Sequence, residues 1–152
     1  MYTKINEKDS IMKLGAIYSK EKTTFTLFSP VADSVFVIFY DKGNDSTETG
    51  RLEMMRGEGE LRSIFSATAE GNLDGVYYTY EVHTADGTFS SHDPYARACG
   101  VNGHRSMVID LSKTDPDGFA DEDRPKLADP MSMVITEVSV ADVSAGASAH
   151  SR

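Results

Sequence analysis

Apolar and polar positions alternate along the first two thirds of this chain with a period of two, the period of strands. In Thr23–Phe28 (T-T-F-T-L-F), Phe25 and Leu27 share one face and Thr24 and Thr26 the other. In Val76–Thr84, Val76, Tyr78, Tyr80 and Val82 lie opposite Tyr77, Thr79, Glu81 and His83. Ser34–Tyr40 (S-V-F-V-I-F-Y) is apolar on both faces, which predicts a central strand covered on both sides. Weaker strand patterns occupy 11–18, 51–56, 61–69, 88–91 and 106–111. No segment keeps a helical period over three turns.

Turn chemistry separates these runs. Ser29-Pro30, the polar tract 41–50, Gly71–Gly75 and Asp86-Gly87 all stop strands, and Asp86-Gly87 is a hairpin signal. Asn102-Gly103 predicts a tight turn with positive φ. Many short strands with Gly/Asp turns imply an all-β sandwich. Residues 1–10 read as a flexible arm, 11–112 as the sandwich and 113–130, rich in Pro and Asp, as a linker. Met133–Val140 (M-V-I-T-E-V-S-V) then predicts one extra strand.

Composition narrows the function. Hydrophobic residues at 39% and charged residues at 26% suit a globular domain. A net charge of -9 disfavours nucleic acid and anionic membrane as partners. The absence of any run of about 18 apolar residues argues against a membrane span. Met1–Ser10 does not read as a signal peptide, so the expected location is cytoplasmic. Cys99, the single cysteine, permits no intrachain disulfide and no cysteine-built zinc site.

Candidate chemistry is sparse. His83, His92, His104 and His150 lack metal-ligand spacing, and Asp115, Asp117, Asp121, Glu122 and Asp123 lack the spacing of a calcium loop, so no metal is expected. Gly100–Gly103 lacks the lysine and helix of a phosphate loop, and no cofactor is called for. The carboxylates are scattered over turns, with no pair assignable as acid and base. Aromatic faces left in solvent can serve as binding platforms, and alternation makes Tyr77 the best candidate. In Asp93-Pro94-Tyr95-Ala96-Arg97, Pro94 stiffens the loop, Tyr95 offers an anchor with a polar tip, and Arg97 offers a forked donor.

Three stretches carry a family resemblance. L-G-A-I-Y-S-K-E-K-T-T-F-T-L-F-S-P at 14–30, G-V-Y-Y-T-Y-E-V at 75–82 and D-P-Y-A-R-A-C-G-V-N-G-H-R-S-M-V-I-D-L at 93–111 resemble the N-terminal part of bacterial type I pullulanases. These are α-glucan debranching enzymes of glycoside hydrolase family 13. V-I-T-E-V-S-V-A-D-V-S at 134–144 resembles the first strand of their (β/α)8 barrel. The resemblance implies an immunoglobulin-like β-sandwich of carbohydrate-binding module family 48, with 131–152 as a remnant of the start of the catalytic domain.

It also implies that the 93–97 loop, with Asn102 in the turn that follows, helps seat the sandwich on a barrel. α-Glucan would be a weak ligand. Phe28 and Phe65 stand where the family usually has tryptophan, so they join Tyr77 as candidate sugar platforms. Thr136, Ser139 and Ala141 replace an aromatic, a His and an Arg of the barrel strand. The family's catalytic acids lie on later strands, so no hydrolysis is expected from these 152 residues. Two other readings stay open: a free-standing glycogen- or starch-binding module, and a protein-interaction sandwich that self-associates through 133–140.

Overall fold

Among the described residues the strands are β1 (Gly15–Tyr18), β2 (Lys22–Phe28), β3 (Ser34–Tyr40), β4 (Glu48–Arg56), β5 (Ile64–Glu70), β6 (Tyr77–Thr84), β7 (Gly87–Ser91), β8 (Ala98–Cys99) and β9 (Ser106–Met107). The computed structural model describes residues 13–123, 126 and 129–141. The predicted arm at 1–10 therefore lies outside the described residues. Backbone contacts divide the chain into two compact units between Asp115 and Pro116.

In the first unit all pairing is antiparallel. One layer runs β1-β2-β5 and the other is built on β4-β3-β6, with β7 and β9 both on the far side of β6. β4 belongs to both layers. Its residues up to Met54 pair with β3, while Met55 and Arg56 pair with β5. A strand that changes sheets in this way closes one side of a sandwich.

The inward faces meet in one core. Phe25, Leu27 and Phe65 come from the first layer and Val35, Val37, Tyr78 and Tyr80 from the second. The Phe25 ring meets Tyr78 edge-on at 5.0 Å and Phe39 at 5.7 Å, so aromatic contacts join the two layers.

Strand ends depart from the sequence pattern where a ladder partner is missing. Leu61 belongs to a short 3-10 turn, Gly59–Leu61, and β5 starts only at Ile64. The expected strand 106–111 shortens to Ser106–Met107. Beyond it, Val108 bonds back to Gly75 and Val76, and Leu111–Lys113 turns away. In the second unit, 133–139 form no strand. Val134, Ile135 and Val138 are exposed, and no strand among the described residues pairs with the segment. Strand propensity alone does not hold an unpaired strand in water. The predicted extra strand is therefore corrected to a segment without regular structure among the described residues.

Two loops lock the end of the sandwich. The Gly43 and Gly100 backbones touch so closely that a Cβ on Gly100 would lie 2.6 Å from the Gly43 Cα. Arg105 clamps the same junction. It donates to the Lys42 carbonyl at 2.7 Å and to the Ser46 hydroxyl and carbonyl at 2.8 Å, and it lies 3.6 Å above the Tyr40 ring. Gly100→Ala is expected to cost about 2 kcal/mol by forcing two backbones apart. Chemical unfolding checks this, and an unchanged midpoint would contradict the close contact.

Candidate functional site

β7 and β9 pair with the same edge of β6, β7 along Tyr80–Thr84 and β9 along Tyr77–Tyr78. Between them the chain must leave the sheet and return. That excursion begins with His92-Asp93-Pro94, and Pro94 has no N–H to give to a ladder. Asp93 replaces the missing ladder with its side chain. Its Oδ1 accepts from the Tyr95 amide at 2.8 Å, and its carbonyl accepts from Ala96 at 3.1 Å. This is an Asx-type turn.

The same carboxylate reaches into the core. Asp93 is only 2% exposed, and its Oδ2 accepts from the Tyr78 hydroxyl at 2.7 Å and the Tyr80 hydroxyl at 3.2 Å. Its amide donates to the buried Ser106 hydroxyl at 2.8 Å. The four polar groups satisfy one another, as a buried network must. Burial first, then the adjacent Asp93 charge, pushes both tyrosine hydroxyls far above the usual phenol range. Alternation explains why two tyrosines meet one acceptor. Tyr78 and Tyr80 share the inner face and their rings stand 5.8 Å apart.

On that anchor the loop shows Pro94, Tyr95 and Arg97 to solvent, Tyr95 with 47% of its surface exposed. Tyr95 leans on β1. Gly15 sits there with φ of +89°, and a Cβ would meet the Tyr95 Cβ at 2.8 Å and Asp93 Oδ2 at 3.3 Å. Only glycine fits that position. Asn102 adopts φ of 55° and Gly103 φ of 71°, the turn expected from their sequence. Asn102 is exposed and removed in sequence from the 93–97 turn.

The three aromatic candidates separate. Phe65 is 1% exposed, packs in the core and lies under the Arg56 guanidinium at 4.7 Å, so it presents no face to a ligand. Its place as a sugar platform is withdrawn, since β5 turns its odd positions inward. Tyr77 does point to the outer face, but it is half-buried. The Gly43 junction lies over its edge, where a Cβ would come within 3.0 Å of the ring. Phe28, at the end of β2, is 53% exposed opposite Ile64, with Ser66 exposed on the same face. Phe65→Ala is expected to cost about 3–5 kcal/mol of stability. Phe28→Ala is expected to change stability by less than about 0.5 kcal/mol. Urea unfolding of both variants checks the contrast.

Sequence reasoning missed a polar cluster around Phe36 on the outer face of the second layer. Arg51 forms a paired contact with Glu48 at 2.8 and 2.9 Å, reaches Glu81 at 3.5 Å and lies 5.8 Å from the Phe36 ring. His83 meets Glu81 at 2.9 Å and Phe36 edge-on at 5.4 Å. The register Phe36↔Glu81 and Phe36↔Glu53 was the only available clue, and it depends on pairing that no local pattern specifies. No group of three or more His, Cys, Asp or Glu among the described residues could hold a metal ion. No helix among them is long and apolar enough to cross a membrane.

A two-layer antiparallel sandwich of this kind is an immunoglobulin-like module. The chain belongs to the family "Carbohydrate-binding module 48 (Isoamylase N-terminal domain)", whose profile matches residues 13–96. Its relatives are pullulanases. It is 31% identical over 116 residues to Pullulanase A of Streptococcus pneumoniae serotype 4, covering 72% of this chain and 9% of that protein. It is 30% identical over 98 residues to the pullulanase of Bacillus subtilis, covering 64% of this chain and 13% of that protein.

Among solved structures it is similar to Paenibacillus barengoltzii pullulanase in complex with maltohexaose and alpha-cyclodextrin. The TM-score is 0.72 and the identity 34%, covering 80% of this chain and 18% of that one. It is also similar to Bacillus acidopullulyticus pullulanase, with a TM-score of 0.71 and 33% identity, covering 83% and 15%. The chain thus spans about a tenth of the length of the curated relatives it matches.

Proposed function

We propose that this module is the non-catalytic N-terminal part of a pullulanase-type debranching enzyme and that it seats a catalytic barrel through the Asp93–Arg97 loop. The observation that carries the reading is the loop itself. Asp93 is buried and makes five hydrogen bonds, while Pro94, Tyr95 and Arg97 on its tip stand in solvent. A rigid, exposed aromatic beside a guanidinium is the composition of an interface anchor. On this reading residues 131–152 begin that barrel, and a parent enzyme would cleave α-1,6-glucosidic bonds.

The test mixes the full chain with a pullulanase catalytic region that lacks its own module. Light scattering after size exclusion is expected to show a one-to-one complex that Tyr95→Ala weakens at least about tenfold. Absence of any complex would overturn the docking role.

Weak α-glucan binding belongs to the same reading and is favoured by the exposed Phe28 ring beside Ser66. In glycogen-containing gels the chain is expected to be retarded, and Phe28→Ala to run freely. Equal mobility of both with and without glycogen would remove the glucan role. The exposed, unpaired Cys99 suits a reducing compartment, in keeping with a cytoplasmic setting that cell fractionation would check.

Self-association through 133–140 is a second reading, favoured by the exposed Val134, Ile135 and Val138. Concentration-dependent mass in light scattering, abolished by Ile135→Asp, is its expected signature.

A further inference from the structure

β1 is an edge strand, and its open side faces a groove of about 320 Å3. Ser19 donates to the Lys22 carbonyl at 2.8 Å, which makes Ser19 and Lys22 a hydrogen-bonded pair. In the antiparallel register Ile17↔Thr24 and Gly15↔Thr26 are then bonded pairs as well, and Tyr18↔Thr23 and Ala16↔Phe25 are not. The N–H and C=O groups of Ala16 and Tyr18 therefore point away from β2, toward the open side. Two residues spaced by two, with outward donors and acceptors, form the template for one more strand.

The groove has the walls that such a strand would need. Met107 and Ile109, both half-buried, give apolar surface. Lys13 and Arg97 line it too, and neither has a side-chain partner among the described residues, in a chain of net charge -9. The acid in the lining, Asp110, has local partners. It accepts from the Ser112 amide at 3.1 Å and hydroxyl at 2.6 Å and lies 3.8 Å from Lys113. Asp110 keeps its charge and shares Lys113 with Asp74, so the lining of the groove sets two cations, Lys13 and Arg97, against one carboxylate. The other long open edge, β7, is wholly exposed and uncharged, and offers no such selection.

We propose that this groove takes an extended segment of the catalytic domain, alternating apolar and acidic residues, as an added strand on β1 with its carboxylates against Arg97 and Lys13. The proposal rests on the docking reading and names the chemistry of the partner.

A fluorescein-labelled peptide V-E-V-E-V-E-V, titrated with the full chain and followed by anisotropy, tests it. The acidic peptide is expected to bind saturably, and V-K-V-K-V-K-V at least about tenfold more weakly. N-methylation at alternate residues of the acidic peptide is expected to abolish binding, because it removes the strand's donors without touching the protein. Arg97→Glu is expected to invert the preference toward the lysine peptide, which a merely unfolded variant would not do. Arg97→Lys should keep the original preference.

Equal binding of both peptides, indifference to N-methylation, or no binding at all would overturn the proposal. So would a dimer of the full chain that Arg97→Glu dissociates, since a second copy would then be the occupant. If the catalytic region joins the chain while the acidic peptide does not bind, the groove inference fails and docking stands. If neither binds, both fail.

Discussion

Asp93→Ala is expected to lower the stability of the sandwich by about 3 kcal/mol, a large share of the roughly 5–15 kcal/mol typical of a domain. The substitution leaves the Tyr78 and Tyr80 hydroxyls without their acceptor in a closed core, and it frees the Tyr95 amide from its turn. Relief from burying a carboxylate offsets part of this loss, but three donors lose one partner each. In a unit of about 100 residues, the melting temperature is expected to fall by about 12–20 °C. Asp93→Asn keeps a carbonyl acceptor and is expected to cost about half as much. Urea unfolding of the three proteins is the measurement. An alanine variant as stable as the parent would mean that the buried network contributes nothing net. The same variant should lose docking before it loses its fold, because the turn at the tip of the loop is closed on the Asp93 carboxylate.

The second large effect is alkaline. Both core tyrosines are expected to stay protonated in the folded chain well past the pH at which they ionise in the unfolded one. Below about pH 10 both states hold these protons equally, and the stabilising difference is fully present. Above it the unfolded chain loses the protons while the folded chain keeps them, so rising pH favours unfolding. Each tyrosine contributes a slope of about 1.4 kcal/mol per pH unit, and the pair about 2.7. Urea midpoints between about pH 9 and 11.5 should be flat at first and then fall. Tyr78→Phe or Tyr80→Phe should halve the fall, whatever each does to stability at neutral pH. A slope that survives both replacements would rule the tyrosines out as its source.

These two results join stability to docking. Asp93 ties the exit loop to the core, so the loop's geometry is as rigid as the sandwich itself. The glycines at 15, 43 and 100 serve the same end. Each stands where a side chain would collide with a neighbouring segment, at Tyr95 or across the Gly43–Gly100 junction.

Alternation over 23–28, 34–40 and 76–84 was enough to place β2, β3 and β6, because period-2 patterning and strand geometry are one fact. Asn102-Gly103 foretold its positive φ for the same local reason. The ordered motifs from 14 to 111 carried the family, and the profile match over 13–96 agrees.

The sequence by itself could not say that Asp93 lies in the core, that Phe65 is buried while Phe28 is not, or that Arg97 lines a groove with Lys13. Each depends on which strands pair and which sheet covers which face. Those are contacts between residues tens of positions apart, and local spacing carries no trace of them. The segment at 133–140 marks the limit from the other side. Its pattern is as strand-like as any in the chain, yet a strand exists only when a second strand takes up its hydrogen bonds.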